Sequence, residues 1–419
     1  MTVLPRPAAD LAARLFDELR ARTTEAPGIT RAAFGEGEEI AHAMMKREAR
    51  ALGLEEQVDA AGNLYLTLPG RDRGLPAWIV GSHLDSVPHG GNFDGAAGVL
   101  AGLAAVAALR ATGAPPRRDV TVIVIRAEES TWFPVSYLGS RAAFGILPAS
   151  ALDARRADTG RTLREHMADL GLRPDAVAAG EAFLAPARIH GFIEVHIEQG
   201  PVLEREDAPI GLVTGMAGSF RYRAARCLGR YGHSGAVPRA YRQDAVVGLA
   251  ELVTGLEEVW DRLERDGERA TITFGQVATD PTQHAFSKVP GEVTFCLDVR
   301  SESTACLDRI DGELARLVAA IEQRRGVRFD LGERTGSDPA ILDAALRARL
   351  AAAARDLPVR AIEMPSGAGH DTSVFANRGV PAALIFVRNQ NGSHNPDEAM
   401  HLEDFEVAAE IVRRCLADD

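Results

Sequence analysis

Six residues of this 419-residue chain carry the chemistry that its sequence offers: His83, Asp94, Glu128, Glu129, His196 and His394. Each falls at or just after the C-terminal end of an apolar run that reads as a central strand, and ligand sites of open α/β sheets form at that edge. Three imidazoles with two carboxylates make a mixed nitrogen and oxygen donor set suited to zinc, manganese or cobalt. Five donors exceed what one catalytic ion with an open position takes, so the reading is two divalent ions sharing one carboxylate. Asp94 is the expected shared ligand, with His83 and His196 completing one ion and Glu129 and His394 the other. Consecutive side chains at a strand end point to opposite sides, so Glu128 and Glu129 are not expected to bind the same ion. One stays free to move a proton as general base and acid. Glu128 is the candidate, with an exchange of roles between the two glutamates as the alternative. Asp85, two residues after His83, either orients that imidazole or caps its own loop.

The elements that must position these residues are legible as apolar runs. Ala77 to Val80 reads as a buried strand opening into the loop GSHLD, and Gly95 onward reads as a helix, with Asp94 placed to favour its N-terminus. Val120 to Ile125 is a near-continuous β-branched run, as in a strand covered on both faces. Phe192 to Ile197 and Ala382 to Val387 have the same character. Two helices, Ala8 to Arg22 and Glu38 to Leu52, precede them. Between about Gly218 and Asp330 the texture changes to alternating strands at Arg221 to Leu228, Ala270 to Val277 and Glu292 to Val299, with helices at Gln243 to Arg265 and Ser303 to Arg324. The fold class expected is α/β, with residues 1–217 and 331–419 forming a catalytic metal-binding domain and residues 218–330 an inserted α+β lid or dimerisation domain.

Apolar residues make up 46% of the chain and the formal charge is -12, values that allow a large core and argue against attraction to nucleic acid or an anionic membrane. Cys227, Cys296, Cys306 and Cys415 show no CxxC spacing, so reduced thiols are expected. The first ten residues lack a basic segment followed by an apolar run, and no stretch is long and apolar enough for a membrane span; the expected address is the cytoplasm.

Six segments in order, GSHLDSVPHGGNFDG, the pair in AEE, HIEQGPVLE, GHSGAVPR, SGAGHD and GSHNPDEA, resemble the aminoacylase/carboxypeptidase superfamily of dinuclear metal hydrolases. More narrowly they resemble its amidase/hydantoinase/carbamoylase branch, which contains N-carbamoyl-L-amino-acid hydrolases, allantoate amidohydrolases and β-ureidopropionases. The resemblance runs from about residue 80 onward. It implies a catalytic domain interrupted by a smaller lid or dimerisation domain, and a homodimer formed through that lid. It places the metal ligands on His83, Asp94, Glu129, His196 and His394 and the acid/base on Glu128. It also implies that His233 stabilises the developing oxyanion, commonly from the neighbouring subunit. Gln199 and Gly369 match substrate contacts, and Arg300 matches the arginine that grips the substrate carboxylate, a planar bidentate task.

Departures from the pattern bear on the substrate. Ser287 stands where the branch has a substrate-binding Asn, with His284 and Lys288 nearby as replacement contacts or surface residues. Ser130-Thr131-Trp132-Phe133 follows the paired glutamates in place of the usual Gly and Arg-Phe, altering the expected wall beside the base. The function expected is hydrolysis of an N-carbamoyl-L-amino acid to the amino acid, carbon dioxide and ammonia. Allantoate or β-ureidopropionate hydrolysis and N-acyl amino acid or dipeptide amidase activity are alternatives, and a catalytically silent metal-dependent binding protein is the alternative from another class.

Overall fold

The apolar runs form the middle of one sheet. In the computed structural model, which describes residues 4–417, the chain divides into two compact units. One comprises the chain up to Thr214, Leu342–Met364 and the chain from His370; the other comprises Gly215–Ile341 and Pro365–Gly369.

Across the sheet of the first unit the strands run Ile210–Met216, Ala382–Val387, Ile189–Ile197, Ala77–His83, Val120–Ile125, Leu64–Leu68 and Glu55–Val58. The middle four are parallel and the outer joins antiparallel. Every residue of Val120–Ile125 is buried, because helices cover both faces. The helix Ala96–Ala111 lies on one face beside Arg6–Thr23 and Leu402–Ala417. It can sit that close because Gly98 lacks a side chain: a Cβ there would lie 2.2 Å from the Val195 carbonyl oxygen. The opposite face packs against Asp371–Asn377, with the Phe192 and Phe375 rings stacked at 3.7 Å. From Ala77–His83 the chain passes to Val120–Ile125 on one side and later to Ile189–Ile197 on the other, so the carboxyl edge here is a topological switch point.

Two local expectations change. The strand expected to end at Val80 continues to His83, since Gly81 adopts φ +154° with Ile123 close against its Cα, and the Ser82 hydroxyl donates to buried Glu194 at 2.6 Å. The following helix begins at Ala96, with Gly95 rather than Asp94 as its N-terminal flank and no side-chain cap; the Asp94 carboxylate is engaged elsewhere.

In the second unit the order is Ala270–Thr273, Glu292–Ser301, Gly218–Leu228 and Arg328–Asp330, all antiparallel. Val293, Phe295, Leu297 and Val299 point into a core shared with helices Ala245–Arg265 and Thr304–Arg325, while Thr294, Cys296, Asp298 and Arg300 lie on the opposite face, as period-two alternation requires. The range expected for the insert, 218–330, falls short. Arg334–Ser337 pairs with Gly218–Leu228 and extends the sheet, and Pro365–Gly369 returns to this unit, with Ala217 donating to the Ser366 carbonyl oxygen at 3.0 Å. Among the described residues no helix is long and apolar enough to cross a membrane.

His42, on the helix Glu36–Leu52, is 2% exposed, and neither ring nitrogen has a hydrogen-bond partner among the described residues. Burial, together with the charges of Arg126 and Lys46, holds its pKa well below the usual 6.5. A group whose folded pKa is depressed binds more protons when unfolded, so folding stability falls as pH drops through the unfolded value, by up to about 1.4 kcal/mol per pH unit for one proton. His42→Leu is expected to show a shallower loss of stability than the native chain between neutral pH and pH 5, measured by urea unfolding at each pH.

Candidate metal centre and active site

The carboxyl ends of the four parallel strands bring the expected donors together. His83 ends its own strand and His196 lies one residue before the end of Ile189–Ile197. The His83 Nδ1 atom faces two acceptors, the Asp85 carbonyl oxygen at 3.1 Å and Asp85 Oδ1 at 3.2 Å. His196 Nδ1 faces the Ile197 carbonyl oxygen at 2.9 Å. Acceptors of this kind require the proton on Nδ1, which leaves each Nε2 as a lone pair. Those two lone pairs point at Asp94 Oδ1, at 3.6 Å from His83 and 3.2 Å from His196. This oxygen is buried and has no hydrogen-bond partner among the described residues. Three acceptor atoms converging in a buried site fit a divalent cation, and His83, Asp94 and His196 offer ligand atoms all within 4.8 Å of one another.

The other oxygen of Asp94 faces a second set. Asp94, Glu129 and His394 likewise offer atoms within 4.8 Å, with His394 Nε2 at 3.4 Å from Asp94 Oδ2 and 3.1 Å from Glu129 Oε1. Asp94 thus turns one oxygen to each set, the geometry of a shared ligand. Burial pushes the Asp94 pKa up, but the three imidazoles outweigh it and hold the carboxyl well below the usual carboxylate range. Hydrogen bonds to Asp94 and Glu129 raise His394 to about 11. For His83, burial works against the charged form, but the Asp85 hydrogen bond and the surrounding carboxylates raise its pKa well above the usual value, so a cation bound at Nε2 would displace a proton from it.

Glu128 belongs to neither set; its Oε2 lies 4.0 Å from His83 Nε2. Burial, reinforced by the charges of Glu129, Asp371 and Asp85, pushes its pKa well above that of an ordinary glutamate despite the opposing pull of His83. The two glutamates diverge because the chain turns sharply before them: Ala127 has φ +50°, a left-handed conformation costing a non-glycine residue about 1–2 kcal/mol. Buried carboxylates hold this turn. Glu38 accepts from Ala127 N at 3.0 Å, and Asp85 accepts from Glu128 N at 3.0 Å and Glu129 N at 3.1 Å. The Asp85 carboxylate thus contacts His83 and caps a turn that belongs to the paired glutamates rather than to its own loop.

The remaining expected site residues are placed as follows. In the first unit Gln199, at φ +64°, donates from its amide to Asp94 Oδ2 at 2.8 Å. In the second unit His233 is exposed, and its Nδ1 accepts from Gly235 N and Ala236 N at 3.1 and 3.2 Å, which puts its proton on an outward Nε2. Ser287 is exposed and bonded through its carbonyl oxygen to Ser234 N. His284 pairs with Thr279 and Lys288 with Gln283. Arg300 gives Nε and Nη2 to Asp298 at 3.0 and 2.9 Å and Nη1 to the Gly367 carbonyl oxygen at 3.0 Å; Gly369 is half-buried. The wall expected from Trp132 and Phe133 is instead packing: both are buried in a core cluster, and Trp132 Nε1 donates to the Ser86 carbonyl oxygen at 2.6 Å.

Two contributors escaped the sequence reading. His370 is buried, its ring 4.5 Å from that of His196, and the Ser393 hydroxyl lies 2.6 Å from Asp94 Oδ2. Both sit in segments singled out for their neighbours, SGAGHD and GSHNPDEA, which was the available signal. Gly95 is a third constraint. Its φ is +66°, and a Cβ there would lie 2.4 to 2.6 Å from the His83 ring atoms. Gly95→Ala is expected to strain the backbone by about 1–3 kcal/mol and displace His83, so that the purified variant holds less tightly bound metal by elemental analysis than the native chain.

Paired nitrogen and oxygen donor sets with an uncommitted glutamate, at the carboxyl edge of a parallel sheet, define a hydrolase with sites for metal. A family model described as Peptidase family M20/M25/M40 matches residues 79–418. The chain is 34% identical over 400 residues, 95% of each chain, to an N-carbamoyl-L-amino-acid amidohydrolase of Paenarthrobacter aurescens. It is 33% identical over 363 residues, covering 86% of this chain and 85% of the other, to an allantoate amidohydrolase of Escherichia coli (strain K12). A solved amidase of the hydantoinase/carbamoylase family from Burkholderia multivorans superposes with TM-score 0.86 at 28% identity, over 97% of each chain. The chain belongs to peptidase family M20/M25/M40 and is an enzyme of the amidohydrolase kind.

Proposed function

We propose that the protein hydrolyses the carbamoyl carbon-nitrogen bond of an N-carbamoyl-L-amino acid, giving the amino acid, carbon dioxide and ammonia. The observation that carries this is Asp94 presenting one oxygen to each of two donor sets, with Glu128 beside them and in neither. Zinc, manganese or cobalt would be held by His83, Asp94 and His196 and by Asp94, Glu129 and His394. When bound, the ions supply Lewis acidity that polarises the scissile carbonyl and makes water more acidic. Glu128 takes the proton from the attacking water and returns it to the nitrogen as the bond to the carbonyl carbon breaks. His233 donates from Nε2 toward the developing oxyanion, and Arg300, whose three guanidinium nitrogens also engage Asp298 and the Gly367 carbonyl oxygen, recognises the substrate carboxylate through its remaining N–H groups, with Gln199, Ser287 and Gly369 as further contacts.

The carbamoylase relative supports this substrate. The allantoate amidohydrolase relative, almost as similar, supports a second reading in which allantoate is the substrate. Both are small molecules bearing a carboxylate. We assign a cytoplasmic address, in keeping with four free cysteines, and a homodimer associated through the second unit, where Phe286 and Tyr241 are exposed.

The test is ammonia release by protein stripped of metal and reloaded with zinc, manganese or cobalt. The panel is N-carbamoyl-L-amino acids, allantoate, β-ureidopropionate and N-acetyl-amino acids. Metal-dependent ammonia from the first group is the expected result. Ammonia from allantoate alone selects the second reading, and amine release from acyl substrates alone discards both. Light scattering tests the dimer.

A further inference from the structure

The main chain of Asp94 is held from two sides by buried charges outside both donor sets. Glu398, 4% exposed, accepts through Oε1 from Phe93 N at 2.8 Å and from Asp94 N at 3.2 Å. Its Oε2 lies 2.6 Å from the Ser393 hydroxyl, which is also 2.6 Å from Asp94 Oδ2. Arg31, with no exposure, donates from Nε to the Leu84 carbonyl oxygen at 2.6 Å and reaches the Asp94 carbonyl oxygen from Nη2 at 3.4 Å. The Arg31 backbone is fixed in turn to Ser86, by N to the hydroxyl and by its carbonyl oxygen to Ser86 N, each at 2.9 Å.

Little slack remains around these groups. A Cβ on Gly91 would lie 2.1 Å from the Glu398 carboxyl, so the loop wraps that side chain without room for another atom. Burying a guanidinium and a carboxylate is costly unless both are used. Arg31 even keeps one buried nitrogen, Nη1, without a hydrogen-bond partner among the described residues, and the Glu398 charge is the largest influence offsetting its desolvation. Arg31 also lies outside the residues that match the family model, 79–418.

We propose that Arg31 and Glu398 are positioning residues for Asp94: they fix its peptide group and, through Ser393, its Oδ2, so that each carboxylate oxygen faces its own donor set. This rests on Asp94 being the shared metal ligand. Glu398 also ties the loop bearing Asp94 to the loop bearing His394, alongside the direct contact of Ser393 with Asp94 Oδ2. Glutamine at 398 keeps an acceptor for the two backbone N–H groups and offers an amide N–H to the Ser393 oxygen, leaving the hydroxyl proton for Asp94 Oδ2, whereas alanine offers neither.

Cobalt(II) titration of the metal-free full chain, followed by the visible absorption of the bound ion and by competition with a chelator, tests this without turnover. Glu398→Ala and Arg31→Met are expected to bind cobalt about 10–100-fold more weakly with an altered spectrum, and Glu398→Gln to restore the native spectrum and affinity. Native binding by Glu398→Ala overturns the proposal. So does equal weakening in Glu398→Gln, which would assign the effect to charge rather than to hydrogen bonds. Circular dichroism in chelator checks folding. If Glu398→Ala does not fold, Ser393→Ala, which deletes one hydroxyl, carries the test through its own loss of cobalt affinity, and native affinity there overturns the proposal. Asp94→Asn separates the two levels. Native cobalt binding by that variant refutes the shared-ligand reading, whereas loss there with native binding in Glu398→Ala refutes only the positioning role.

Discussion

Glu128→Gln is expected to lower kcat by about 10³-fold, the range over which a positioned acid or base contributes, while leaving metal content unchanged. The amide matches the carboxylate in shape and cannot take a proton from water. Its backbone is anchored independently of the side chain, through Glu128 N to Asp85, and the side chain is absent from both donor sets. Steady-state kinetics with elemental analysis of the same preparation check this. A variant that loses metal in step with activity would make Glu128 a ligand and reopen the exchange of roles with Glu129. A variant with near-native turnover would remove Glu128 from the chemistry.

Asp85→Asn should fail differently, losing rate and metal affinity together. Asp85 is fully buried, and its carboxylate accepts from His83 Nδ1, Glu128 N and Glu129 N. An amide nitrogen in place of one oxygen sets a donor against a donor, and a lost hydrogen bond to a charged group costs about 1.5–3 kcal/mol. Freed from its partner, His83 no longer presents a fixed Nε2, for which a 10–100-fold loss in metal affinity is expected. Cobalt titration and kcat measured side by side distinguish the variants: Glu128→Gln moves kcat alone, Asp85→Asn moves both. Unchanged affinity in Asp85→Asn would show that the strand, and not Asp85, sets the His83 ring.

The strands were legible because burial on both faces writes itself as an unbroken run. Val120 to Ile125 and Ala382 to Val387 are found at the boundaries read from sequence, and the residues just beyond them belong to the sheet edge where the donors gather. Side-chain partnership was not legible in the same way. Nothing in the run around Arg300 announces that Asp298 and the distant Gly367 carbonyl oxygen together engage all three guanidinium nitrogens. Trp132 and Phe133 read as a pocket wall because they follow the glutamates, but the sharp turn at Ala127 directs them into a core. The boundary of the second unit was missed for a related reason: Arg334–Ser337 is a short strand without an apolar run, recognisable only by its pairing with Gly218–Leu228.

The strand Ala382–Val387 lies between Ile189–Ile197 and Ile210–Met216 and pairs with both. During synthesis, therefore, the ribosome releases two strands that are not partners in the folded sheet, and the strand that joins them follows only after the second unit and the segment up to Ala382 have emerged. His83, Asp94 and His196 are complete by then, whereas the set with His394 is not. An unpaired apolar edge is a template for misassembly, so a nascent chain stopped before Ala382 should be the aggregation-prone form, and the two donor sets are completed in a fixed order.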